Sequence, residues 1–298
     1  NDANGTDAGH VRVYSWNGSF WNQIGADIDG GTDYDKFGWS VSLSSDGSTV
    51  AVGTPYKDHY PATNDGVVKI YSWDGASWMQ LGQDINGEGN GDQSGHSVSL
   101  SSNGSIVAIG APYNTGNAGD PLYLNSGHVR VYSFDGSSWV QLGQDIDGEA
   151  AGDASGTSVS LSANGNIVSI GASHNGGNGA GSGHVRVYKF TGGIWQQLGS
   201  SILGRGNDTA GRRTSLSSSG SVVAFSSNTA KRIIDPSDVR SSFTLGYVRV
   251  YTSSILPPVA NIPVTISPTT TTLAPVNEQW FQIGNTVNLS TTTIQGII

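Results

Sequence analysis

The chain has 298 residues, of which 43 are Gly, 12% are charged and 36% are hydrophobic, and its formal net charge is −9. Gly loses backbone entropy in a helix and small polar side chains compete for its hydrogen bonds, so this composition excludes a helical fold, while 8 Trp, 11 Tyr and 7 Phe supply a core and argue against disorder. The few Lys and Arg are scattered, so nucleic acid is not an expected partner; no Cys is available for a disulfide or thiolate site, and no apolar run approaches the ~18 residues of a membrane span.

In chain order, the first predicted elements are two short strands. Residues 10–14 alternate apolar and polar, a turn falls at Asn17-Gly18, and a second strand begins at Trp21 and runs to Ile28. Opening in mid-pattern at Asn1, the chain is expected to be a mature or trimmed product. We call these strands c and d, because the next unit precedes them with two more. Strand a covers residues 40–44 and strand b residues 49–53; strand c ends at Tyr71 and strand d starts at Trp78. The same order returns at 97–101, 106–110, Tyr132 and Trp139, and again at 158–162, 167–171, Tyr188 and Trp195. A fourth full unit has a (214–218), b (222–225) and c, ending at Tyr251. Asp46-Gly47, Asn103-Gly104, Asn164-Gly165 and Ser219-Gly220 stand between a and b, where two-residue turns with positive φ are expected. The Tyr positions 14, 71, 132, 188 and 251 recur at steps of 57, 61, 56 and 63 residues. Four antiparallel strands repeated at this period cannot bury their faces singly and must stack, which predicts an all-β, five-bladed β-propeller.

Phe37-Gly38-Trp39-Ser40-Val41 followed by Gly53-Thr54-Pro55, and Gly95-His96-Ser97-Val98 followed by Gly110-Ala111-Pro112, resemble the FG-GAP repeat of integrin α subunits and many bacterial surface proteins. The resemblance covers residues 9–225 and 246–251. It implies a propeller used in adhesion, recognition or scaffolding. The third unit departs from it with Gly171-Ala172-Ser173, and the fourth lacks the Gly-Ala-Pro altogether.

The ends do not match the middle. The first unit has only c and d, and after Tyr251 the expected Trp comes 29 residues later, at Trp280. Residues 253–279 are a Pro/Thr-rich linker with Pro257, Pro258, Pro263, Pro268 and Pro275; at about 3.1 Å per residue its extra length spans up to ~70 Å. Beyond it Trp280, Phe281 and Ile283 read as strand d. Val287 and Leu289 copy the alternation of strand a, and Ile294 and Ile297 that of strand b. Residues 280–298 are therefore expected to supply strand d of the fourth full unit and strands a and b of the half unit at the N-terminus, in the same molecule or in a neighbour. Open strand edges accept a donated strand readily, and head-to-tail donation that does not close gives a filament.

The candidate ligands lie in the loops after strand d. Asp84, Asn86, Glu88 and Asp92, and again Asp145, Asp147, Glu149 and Asp153, alternate oxygen side chains in Gly-containing loops, a pattern that can converge on Ca²⁺ or simply tie turns. Calcium-binding FG-GAP repeats carry their acidic loop between a and b, unlike this chain. His10, His128 and His184 share one repeat position, where Val67 and Tyr247 also occur, which favours packing over metal binding. Arg12, Arg130, Arg186 and Arg249 in strand c read as surface residues with packed stems. Sequons at Asn4, Asn17, Asn103, Asn207 and Asn288, and the run Thr269, Thr270, Thr271 and Thr272, are glycosylation candidates. No catalytic constellation stands out, and no cofactor is required, although Ca²⁺ fits. The sequence thus predicts a non-catalytic protein, extracellular or at the cell surface. Residues 1–252 form the propeller, and the protein is a subunit of a self-assembling filament whose main partner is itself. The alternative is a monomeric adhesion module that binds glycan or protein through its loops.

Overall fold

The computed structural model describes residues 4–58, 64–116, 124–227, 231–233, 242–244 and 246–252. All regular structure among them is β, so no helix there is long and apolar enough to cross a membrane. Repeat 1 contributes β1 (His10–Val11), β2 (Tyr14–Trp16), β3 (Trp21–Gln23) and β4 (Ile28–Asp29), with β1 paired to β4 and β2 to β3. Repeat 2 is a complete antiparallel sheet in the order β5 (Ser40–Leu43), β6 (Thr49–Thr54), β7 (Val67–Trp73) and β8 (Trp78–Gln80), with β9 (Ile85–Asn86) also on β7. Repeat 3 copies it with β10 (Ser97–Leu100), β11 (Ile106–Ala111), β12 (His128–Phe134), β13 (Trp139–Gln141) and β14 (Ile146–Asp147). Repeat 4 does so with β15 (Ser155–Leu161), β16 (Ile167–Ala172), β17 (His184–Thr191), β18 (Ile194–Gln197) and β19 (Ile202–Leu203). Repeat 5 shows β20 (Arg213–Leu216), β21 (Val222–Ser227) and β24 (Tyr247–Thr252), and a separate pair, β22 (Lys231–Ile233) with β23 (Ser242–Thr244), falls between the last two in sequence. Repeated four-stranded sheets of this kind fit a β-propeller.

Two local expectations are corrected. Strand d is not one strand: β8 pairs with the C-terminal half of β7 (Trp73↔Trp78) and β9 with its N-terminal half (Val67↔Asn86). The chain turns between them at Gly82, whose φ of 74° suits glycine. Nor is the a–b connection a two-residue turn. Ser44 pairs with Thr49 around residues 45–48, the Thr49 amide donates to Ser44 Oγ, and the Ser44 and Ser48 hydroxyls donate to Asp46 Oδ1. An Asp or Asn in such a loop gathers neighbouring donors, and that stabilises the longer connection.

The core lies between sheets, not within them. Ala51, Val68, Ile70 and Ile85 on one face of repeat 2 pack on Val98, Leu100, Val107 and Ile109 of repeat 3, and the same faces meet between repeats 3 and 4. Burying a Leu or Ile in such a seam contributes about 1.5–3 kcal/mol. A polar seam runs beside the apolar one. Ser40, Ser97 and Ser158 donate through Oγ to the carbonyls of Gly95, Gly156 and Gly211 in the next repeat, at 2.7, 2.8 and 2.7 Å. Two residues on, Ser42, Ser99 and Ser160 accept the amides of Leu100, Leu161 and Leu216, each at 2.9 Å. The serines of the S-V-S-L-S motif therefore join repeats, which accounts for a core seam with almost no charge. On the outer side, Trp78, Trp139 and Trp195 donate through Nε1 to the carbonyls of Ile24, Leu81 and Leu142 in the preceding repeat.

Candidate functional site

Strand c opens close under the loop that follows strand d of the preceding repeat, so each junction sets one strand-c residue beside one acidic loop. Between repeats 2 and 3 the residue is His128, whose side chain is 3% exposed; its Nδ1 stands 3.9 Å from Glu88 Oε2 and 3.7 Å from Asp145 Oδ2. Arg130 Nη1 donates to Glu88 Oε1 at 3.0 Å and Nη2 to the Asn86 carbonyl at 3.1 Å. Gln141 Nε2 donates to Asp145 Oδ1 at 2.6 Å. Between repeats 3 and 4, His184 Nδ1 lies 3.7 Å from Glu149 Oε2, and Arg186 donates to the Asp147 carbonyl at 2.7 Å. Burial pushes both imidazoles down to about 4, with Arg130 or Arg186 adding to the effect, so both are neutral at pH 7. Burial raises Glu88 and Asp147 instead.

The structure divides the acidic candidates among different tasks. Asp92 accepts the Gly89 amide and Asn114 Nδ2, and Asp153 accepts the Ala150 amide and Asn175 Nδ2; both are buried loop-closing carboxylates. Asp84 pairs with Lys69 at 3.2 Å and accepts from Gln80 at 2.7 Å. Glu88 and Asp145 belong to different repeats and meet only around His128. Among the described residues, Glu88, His128 and Asp145 form a group whose ligand atoms all lie within 4.8 Å of one another. The strand-c arginines differ from the surface reading: Arg130 and Arg186 are buried and tied to the preceding repeat, whereas Arg12 is exposed and paired with Asp27. The recurrent Gln of W-x-Q-[LI]-G was missed as an orienting residue. Its signal is a constant spacing of four to the next acid, as in Gln23–Asp27, Gln80–Asp84 and Gln141–Asp145.

The other candidates fall at the surface or outside the description. Asn4, Asn17, Asn103 and Asn207 are exposed. Asn17 and Asn103 sit at hairpin loops where their Oδ1 accepts backbone amides, while Asn4 Nδ2 donates to the Gly30 carbonyl. Asn288, the Thr269–Thr272 run, the linker and the assembly residues Trp280, Phe281, Ile283, Val287, Leu289, Ile294 and Ile297 all lie outside the described residues.

Among the described residues, the ends of the stack are open. Leu43 is 44% exposed, whereas its counterparts Leu100, Leu161 and Leu216 are 4%, 6% and 4% exposed. Repeat 1 has no strands a and b among the described residues to cover Leu43. At the other end Val248 and Val250, whose counterparts Val129 and Val131 are fully buried, are 63% and 59% exposed.

Residues 28–71, from β4 through most of β7, match the FG-GAP repeat family. No curated protein matches the chain. Among solved structures, the chain is similar to a "putative 6-phosphogluconolactonase" from Bacteroides fragilis, with 12% identity and a TM-score of 0.38 over 55% of this chain. The chain spans only 38% of that structure's length, a likeness too slight to bear on fold or chemistry.

Proposed function

We propose that this protein is a non-catalytic, extracellular structural subunit that assembles head to tail, its C-terminal strands completing the open first repeat of the next copy. FG-GAP repeats occur in extracellular and surface proteins, and the match at residues 28–71 supports that setting. The observation that carries the reading is the exposed Leu43 beside a repeat that has no strands a and b among the described residues. The segment Gly284-Asn285-Thr286-Val287-Asn288-Leu289-Ser290 has the pattern of Gly38-Trp39-Ser40-Val41-Ser42-Leu43-Ser44. Thr286 takes the place of Ser40, a donor to the next repeat's glycine carbonyl, and Asn288 that of Ser42, an acceptor for the next repeat's leucine amide. The hydrogen-bonding side chains that repeat 2 lacks on its Leu43 side are thereby supplied. A five-membered ring of sheets results, with one sheet shared between copies. Electron microscopy of the full-length chain is expected to show filaments, and the chain lacking residues 280–298 none. A full-length chain that stays monomeric and melts above the shortened one would mean that the strands close their own ring, and the filament reading would fail.

A polar cleft favours the second reading, a monomeric glycan- or protein-binding module. Asn4, Asp33, Tyr34, Tyr56, Lys57 and Asp58 line it, and amides, carboxylates and aromatic faces together suit sugar hydroxyls and rings. Saturable binding on a glycan array, lost in Tyr34→Ala, supports that alternative.

A further inference from the structure

We propose that Glu88, His128 and Asp145 form a binding site for a divalent transition-metal cation of the Zn²⁺ class, clamping repeat 2 to repeat 3. The argument begins with orientation. Each carboxylate has one oxygen held away from the imidazole, Glu88 Oε1 by Arg130 at 3.0 Å and Asp145 Oδ1 by Gln141 at 2.6 Å. Each turns its other oxygen toward His128 Nδ1, at 3.9 and 3.7 Å, beyond hydrogen-bond reach. Outer partners that fix a ligand's free oxygen in this way are the usual support of a metal centre. The imidazole is almost fully buried with Nδ1 facing the two converging carboxylates, where it adds a nitrogen ligand to their oxygens. One nitrogen and two oxygens suit a borderline cation better than Ca²⁺, which wants six to eight oxygens. Tetrahedral Zn²⁺ ligands stand about 3.3 Å apart, a contraction that the side chains of Glu88 and Asp145, 50% and 31% exposed, are free to make. That exposure also leaves the mouth of the site open to solvent.

Repetition supplies natural variants of the same junction. Between repeats 3 and 4 the three positions hold Glu149, His184 and Ser201, and neither ring nitrogen of His184 has a hydrogen-bond partner. Between repeats 1 and 2 they hold Gly31, Val67 and Asp84. The complete set thus occurs once among these junctions, and the unpartnered His184 shows that an imidazole in this register has no structural hydrogen bond to make.

Isothermal titration of ZnCl₂ into the full-length chain, stripped with EDTA and dialysed, tests the site. Wild type is expected to bind one equivalent and to melt at higher temperature with Zn²⁺, because a ligand held by the folded state alone stabilises it. Asp145→Ser and His128→Val, each copying a residue of another repeat, are expected to weaken that binding at least tenfold. Ser201→Asp is expected to add a second equivalent. No Zn²⁺ binding by wild type, or undiminished binding by both loss variants, overturns the proposal. Should His128→Val fail to fold, Ser201→Asp decides, since an unchanged stoichiometry there overturns it as well.

Discussion

Gly110 faces the Gly156 carbonyl so closely that a Cβ would run into it, and Gly53 and Gly171 meet Gly95 and Gly211 in the same way. The two glycines of the FG-GAP motif are therefore the two sides of one backbone contact between successive repeats. Because backbone, not a flexible side chain, is in the way, Gly110→Ala is expected to cost the upper end of the overpacking range, about 3 kcal/mol, measured by urea unfolding. A titrating residue gives a second test. His184 has its pKa lowered from 6.5 to about 4, chiefly by burial. As pH falls from 6.5 to 4 the unfolded chain takes up a proton that the folded chain refuses, so stability drops through that window and levels off below it. Val stands at this position in repeat 2, as Val67. His184→Val is accordingly expected to lessen the pH dependence of the melting temperature between 6.5 and 4, His128 keeping its own share of it, while leaving intact the further loss near pH 2 to 4, where Asp46, held down to about 2 by the Ser44 and Ser48 hydrogen bonds, titrates.

At the level of strands, the same serine does different work in different repeats. Ser99 accepts the Leu161 amide, and its loss leaves that part-buried N–H without its acceptor, so Ser99→Ala is expected to destabilise by about 1–3 kcal/mol in a denaturation series. Ser215 holds the same place in β20, with no later repeat among the described residues to serve, and Ser215→Ala is expected to be near neutral in the monomer. This difference marks what the sequence reveals. Strands a, b and c were legible because alternation of Val, Leu or Ile with Ser or Arg is a local signal that strand pairing reproduces residue for residue, as in Val98↔Ile109 and Leu100↔Val107. The break in strand d was not, because W-x-Q-[LI]-G-x-x-[IL] has no period of its own and Gly82 bends it. Nor were the junctions: Ser40 meets Gly95 across 55 residues and Arg130 meets Glu88 across 42, contacts that only stacking creates. The row of histidines could be read from the repeat, yet which acids face His128 depends on the neighbouring sheet.

For the whole molecule, the arrangement of faces predicts where a charge is harmless and where it is fatal. Each complete junction buries a front face on the following repeat and a back face on the preceding one. Among the described residues the stack therefore ends in two unsatisfied faces: the back of repeats 1 and 2, with Trp21 and Leu43 exposed, and the front of repeat 5, with Val248 and Val250 exposed. Such complementary ends invite either ring closure or polymerisation, because one open apolar face can be covered only by a surface shaped like the repeat it lacks. A carboxylate at Leu100 enters the seam between repeats 2 and 3 and costs several kcal/mol as a buried charge without a partner. A carboxylate at Leu43 stays solvated in the isolated subunit and is met only when a strand arrives to cover it. Leu100→Asp is therefore expected to prevent folding. Leu43→Asp, made in a chain lacking residues 280–298, is expected to leave that chain's melting temperature within a few degrees while abolishing capture of a synthetic peptide of residues 280–298 in fluorescence anisotropy. If the peptide binds the Leu43→Asp chain as tightly as its parent, the C-terminal strands dock elsewhere and the open first repeat is not their site.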